Sequence, residues 1–194
     1  NVTDYHTVKT MDKEEAMAAG LYNVIGKEID DAYMVEQKKQ IIHPEIIEEV
    51  ADDIKIVYSP FNGTGNVPVR RILAELRKKN VYVVKEQEMP DPNFTTLAYP
   101  NPEDPEAFTL ALKLAKEVDA DVVLATDPDA DRLGIYAKDA KTGEYVPFTG
   151  NMSGMLIAEY IMRERKATNT MPENPALVKT IVTTETIKAI ADAN

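Results

Sequence analysis

Apolar residues along this chain follow two alternating spacings. Four short runs rich in β-branched and aromatic residues, Ile54–Tyr58, Val81–Val84, Asp121–Ala125 and Leu133–Ala137, predict strands. Between the first two, Val69, Ile72, Leu73 and Leu76 recur at helical spacing and predict a helix over Val67–Lys79, with Pro68 near its start. Before the third, Phe108, Leu110, Leu112, Leu114 and Ala115 predict an amphipathic helix over Glu106–Val118. The stretch Met89–Asp104 holds Pro90, Pro92, Pro100 and Pro102 and reads as an ordered loop. The third and fourth runs lie too close for a parallel crossover, which needs about a dozen residues, so they pair antiparallel or not at all.

The flanks read differently. Asp12–Ala19 predicts a short helix stopped by Gly20. Lys27–Gln40 is a charged helical stretch, and Pro44–Ala51 predicts another helix with proline in its first turn. Asp139–Glu144 reads as a hairpin turn leading to Tyr145–Phe148. Beyond Gly150 the pattern predicts a helix over Met152–Arg163, a strand over Ala176–Val182 and a helix over Thr183–Ala193. A piece of about 45 residues sits near the lower size limit for an independent domain, so this region reads as a truncated one.

Candidate chemistry concentrates where the third run ends. Asp127-Pro128-Asp129-Ala130-Asp131-Arg132 places three acids at alternate positions, followed by a permanent cation. Carboxylates about 4 Å apart repel by roughly 4 kcal/mol per pair at an effective dielectric near 20, so such a cluster calls for solvent or a cation. A polar turn is the plain reading, since Asp and Pro both favour turns. An EF-hand loop fails: its glycine position holds Arg132 and its final glutamate position holds Lys138. A Mg²⁺ site serving a phosphoryl group accounts for the even spacing. Gly63-Thr64-Gly65, after the first strand, reads either as an anion cradle at a helix start or as a tight turn without a P-loop lysine. His6 and His43 have no catalytic companion nearby in the sequence and read as structural or surface residues. Lys55, Lys85 and Lys138 read as solvated.

The segment Ala125–Gly134 resembles the metal-binding loop of the phosphoglucomutase/phosphomannomutase (α-D-phosphohexomutase) superfamily, usually D-G-D-A/G-D-R, with Pro128 as the variation. Tyr58-Ser59-Pro60-Phe61-Asn62-Gly63-Thr64-Gly65 is similar to the family's T-P-L-H-G-T-G segment, with Asn62 at the usual histidine. Thr149-Gly150-Asn151 and Val178–Thr184 resemble the opening of the family's third domain. The resemblance implies a three-layer α/β/α fold with a mixed four-stranded sheet, plus a truncated second α/β domain. It divides the chain into residues 1–26, the tail of a first domain; 27–149, the second domain; and 150–194, the start of a third. It implies interconversion of hexose 1-phosphate and hexose 6-phosphate, glucose phosphate above all. Mg²⁺ would be held by Asp127, Asp129 and Asp131, with Arg132 binding substrate and hexose 1,6-bisphosphate as activator or intermediate. The family's phosphoserine has no counterpart: Ser59 and Ser153 lie outside its motif, so no catalytic residue is expected here and this stretch alone is expected to be inactive. A noncatalytic Mg²⁺-dependent binding module of the same fold is the alternative.

Composition narrows the partners. The chain has 194 residues, 44% hydrophobic and 28% charged, enough apolar material for a core. Its net charge of −11 disfavours nucleic acid and anionic membranes as partners, but not a small phosphorylated substrate beside a metal. There is no cysteine, which excludes disulfides and thiolate metal sites. No segment has a signal-peptide or membrane-spanning character, and a cytoplasmic location is expected.

Overall fold

A computed structural model describes residues 2–77 and 79–194. Asn1 of the expected leading tail and Lys78 of the expected Val67–Lys79 helix lie outside the described residues. The chain forms two compact units, one ending at Gln40 and one from Ile41 to Asn194. The first holds helices α1 (Lys13–Ala18) and α2 (Lys27–Lys38). The Asp12 carboxylate caps α1 by accepting from the Glu14 and Glu15 amides, satisfying donors that the first helical turn leaves free.

The second unit is built on helix α3 (Pro44–Glu49), strand β1 (Ile56–Ser59), helix α4 (Asn66–Glu75), strand β2 (Val81–Val83), helix α5 (Thr109–Val118), strands β3 (Val122–Thr126), β4 (Leu133–Lys138) and β5 (Tyr145–Phe148), and helices α6 (Gly150–Ala167) and α7 (Thr186–Ala193). The sheet runs in the order β2-β1-β3-β4-β5. β1 pairs parallel with β2 and β3, while β4 pairs antiparallel with β3 and β5. The antiparallel β3–β4 pair is the one the short connection required. A fifth strand enlarges the expected four-stranded sheet. Its Pro147 has no amide hydrogen for a ladder, and β5 accordingly takes an edge, where a missing donor is tolerated.

Val57, Val123 and Tyr136 are register partners on adjacent strands and share one buried cluster with Ala111 and Ala115 of α5. The small alanines let α5 approach the sheet closely. Phe108, at the start of α5, has no exposed surface; its ring centroid lies 5.6 Å from that of Phe61 and 4.7 Å from that of Tyr136. Filling such a site removes roughly 1.5–3 kcal/mol worth of apolar surface from water.

Several expectations need correction. Ala176–Val182 forms no strand: it has no neighbouring strand to take its backbone groups, and Val178, Ile181 and Val182 are exposed. Lys55 and Lys138 are not simply solvated. The Lys55 ammonium donates to the Val118 carbonyl at 3.0 Å, and Lys138 pairs with Asp119, the left-handed residue that ends α5. Both thereby place cations at a helix C-terminus, where the dipole favours them. Lys85 pairs with Glu88 at 2.7 Å but stays largely exposed, as expected. His43, read as structural or surface, keeps that reading and bridges two acids: Nδ1 lies 2.7 Å from Glu45 and Nε2 lies 3.0 Å from Glu164 of α6. Those bonds, Glu45 first, raise its pKa above the ordinary imidazole value. Among the described residues, no helix is long and apolar enough to cross a membrane.

Candidate metal centre

The site begins with the backbone at the end of β1. Phe61 and Asn62 both take positive φ, 45° and 59°, and the Gly63 amide donates to the Pro60 carbonyl at 2.9 Å. Two such residues in succession make a type I′ turn. Positive φ is costly for an aromatic residue, of order 1–3 kcal/mol. Complete burial of the Phe61 ring in the core offsets it. Asn62 suits the left-handed region better, and its side-chain amide donates to the Met89 carbonyl at 2.7 Å. Asn62 therefore ties this turn to the 86–89 segment.

The turn delivers Gly63-Thr64-Gly65 against the acidic loop. The Thr64 amide donates to the Pro128 carbonyl at 2.8 Å, and the Thr64 hydroxyl reaches the same oxygen at 3.1 Å. A Cβ on Gly63 would sit 2.4 Å from the Pro128 Cα; one on Gly65 would sit 2.6 Å from the Thr126 hydroxyl and 2.7 Å from that of Tyr58. Both glycines are required by close approach. The segment is thus a packed turn with its amide turned to protein.

The acidic loop is itself a turn. The Ala130 amide donates to the Asp127 carbonyl at 3.0 Å, and Ala130 has φ of 60°. Asp127 is buried, and its Oδ1 accepts from the Arg132 amide at 3.0 Å. Asp129 and Asp131 are exposed, yet one carboxylate oxygen from each of the three acids lies within 4.8 Å of the others. The Arg132 Nε stands 3.8 Å from oxygens of both Asp127 and Asp131. The structure therefore brings together all four residues singled out in the sequence. An all-oxygen donor set of this size suits a hard cation such as Mg²⁺, which keeps part of its coordination for water or phosphate. Beyond Arg132 opens a cavity of about 660 Å³, lined by Glu103, Tyr136, Phe148 and Thr149 among others. Neither serine joins the site: the buried Ser59 hydroxyl donates to Gln87 Oε1 at 2.6 Å, and Ser153 lies on α6.

Comparison with known proteins shows the family. Residues 31–143 match the family model described as phosphoglucomutase/phosphomannomutase, alpha/beta/alpha domain II. The chain belongs to that family. A phosphoribomutase of Saccharomyces cerevisiae is 30% identical over 99% of this chain and 32% of its own length. A phosphoglucomutase of Staphylococcus saprophyticus is 34% identical over 89% of this chain and 30% of its own. The chain thus spans about a third of the curated relatives it matches. A solved phosphoglucomutase/phosphomannomutase family protein from Burkholderia thailandensis shares the fold, with a TM-score of 0.50 and 21% identity over 78% of this chain and 31% of that one. The Thr64–Pro128 contact and the buried Tyr58–Thr126 pair were not foreseen from the sequence. Their only sequence signal is the paired glycines, because the partners lie more than sixty residues apart.

Proposed function

We propose that this chain works as the metal-binding part of a phosphohexomutase interconverting hexose 1-phosphate and hexose 6-phosphate, with glucose phosphate as substrate. The convergence of three carboxylates within 4.8 Å at the end of β3, in a chain of this family, carries the reading. Asp127, Asp129 and Asp131 hold Mg²⁺, and residues 27–149 act as the second domain, between the tail of a first (1–26) and the start of a third (150–194). When bound, the ion supplies Lewis-acid withdrawal of charge from a transferring phosphoryl group. Asp127 is fixed by its bond to the Arg132 amide, while Asp129 and Asp131 present their oxygens to solvent. Arg132, about half exposed, offers a planar fork of donors to a substrate phosphate. Ser59 is buried with its hydroxyl donating to Gln87, and Ser153 lies on α6 outside the family's serine motif, so neither serves as the phosphoryl carrier, the phosphoserine is supplied from elsewhere in the enzyme and this chain alone does not turn over. The enzyme works in the cytoplasm, with hexose 1,6-bisphosphate as its activator.

Ribose phosphate is the second reading, because a relative matched across 99% of this chain is named a phosphoribomutase. A coupled assay separates the cases. The 194-residue chain and a full-length protein containing it are supplied with Mg²⁺, the matching bisphosphate and, in turn, glucose, mannose and ribose 1-phosphate. Turnover of glucose 1-phosphate by the full-length protein alone is expected. Inactivity of that protein on every sugar phosphate contradicts the proposal and favours a noncatalytic Mg²⁺-dependent module.

A further inference from the structure

We propose that Gly63 and Thr64 are positioning residues for the metal loop: together they clamp the Pro128 carbonyl and so set the direction of Asp129. This rests on the metal-site reading above. Among the three acids, Asp127 has its own anchor in the Arg132 amide and Asp131 lies near the Arg132 side chain. Asp129 has no such side-chain anchor among the described residues. Its placement therefore depends on its backbone. The Pro128 carbonyl and the Asp129 nitrogen belong to one rigid peptide plane, so fixing that oxygen fixes where Asp129 begins.

Two donors of Thr64 converge on this oxygen, at 2.8 Å from the amide and 3.1 Å from the hydroxyl. The approach exists because Gly63 lacks a Cβ, which would lie 2.4–2.7 Å from three backbone atoms of Pro128. Backbone atoms cannot rotate aside as a side-chain tip can, so any residue but glycine must push the loop away. From the other side, the Pro128 ring fixes its own φ and holds Asp127 to extended conformations. The loop is thereby set from both ends before any ion arrives, which lowers the ordering cost of binding.

The clamp and the ion are coupled reciprocally: a clamp that favours the metal-competent loop must itself be tightened by metal. The test uses Mn²⁺ as probe, with affinity read by electron paramagnetic resonance and the Thr64 amide followed by hydrogen exchange. Gly63→Ala is expected to weaken Mn²⁺ binding at least tenfold, while Gly154→Ala, where a Cβ meets nothing within 4 Å, leaves it unchanged. Thr64→Val, which keeps the amide, is expected to weaken binding about threefold, the scale of one lost neutral hydrogen bond, and Thr64→Ser to restore it. In the wild type, saturating Mn²⁺ slows exchange at the Thr64 amide. If Gly63→Ala does not fold, the Thr64→Val and Thr64→Ser pair and the exchange rate decide. Unchanged Mn²⁺ affinity in Thr64→Val with no change in exchange overturns the clamp while leaving the metal site standing. Wild-type protein with no saturable Mn²⁺ site, or one that Asp129→Asn leaves intact, overturns both.

Discussion

Tyr58 on β1 and Thr126 on β3 share a buried hydrogen bond of 2.9 Å between their hydroxyls, one residue before the first acid of the metal loop. Both side chains are almost fully buried, and burial raises the Tyr58 pKa, keeping the phenol protonated. Tyr58→Phe removes one partner and strands the Thr126 hydroxyl in the interior. The expected loss is about 1–3 kcal/mol of unfolding free energy, seen as a lower urea midpoint at unchanged slope.

Phe108 tests the core in the same way. It packs edge-on to Phe61 and tilted against Tyr136, so it joins the strained turn before the metal loop to the antiparallel strand after it. Phe108→Ala is expected to cost about 3–5 kcal/mol. Leu133→Ala, at a position 46% exposed, is expected to change stability by about 0.5 kcal/mol or less. Urea denaturation of the two variants measures both.

His43 links the segment before β1 to α6. Its pKa is raised by Glu45 and then Glu164, while Glu45 is lowered by a backbone hydrogen bond and then by His43, and Glu164 by Arg163 and then by His43. A raised imidazole pKa means the folded state holds the proton more tightly. Its contribution is full below the unfolded histidine value, near 6.5, and is lost as pH rises through the folded value. The carboxylates contribute above their unfolded value, near 4.3, and lose it as pH falls. The contact is thus strongest in mildly acidic solution. Melting temperatures across pH 5 to 9 are expected to fall on the alkaline side more steeply for the wild type than for His43→Gln.

The sequence made the convergence of the acidic loop legible because three acids at alternate positions are costly without a purpose, and the strands legible because Ile56–Tyr58 and Val122–Val123 are β-branched or aromatic at the right spacing. What stayed hidden was long-range. The clamp between Thr64 and Pro128 joins residues with no local pattern in common. The hairpin turn into Tyr145–Phe148 was legible, but not that this stretch extends the sheet to a fifth strand, at whose edge Pro147 is tolerated. Ala176–Val182 has strand-like residues but no strand beside it. Lys55 and Lys138 serve the end of α5, a role that depends on where that helix stops in space.

Loss of one acid should be felt in catalysis. In a full-length protein containing this chain, Asp129→Asn is expected to lower mutase kcat about 100-fold or more, since charge stabilisation by a bound metal is worth several kcal/mol. The coupled assay at saturating Mg²⁺ measures it, and near-normal turnover would remove Asp129 from the ligand set.

The most direct test is a Mn²⁺ titration of the 194-residue chain and its Asp129→Asn variant, followed by electron paramagnetic resonance at low ionic strength. Three carboxylates without a phosphate ligand predict one weak, saturable site in the wild type and none in the variant, with Mg²⁺ competing for it. Equal Mn²⁺ binding by both proteins, or none by either, contradicts a metal centre at Asp127, Asp129 and Asp131.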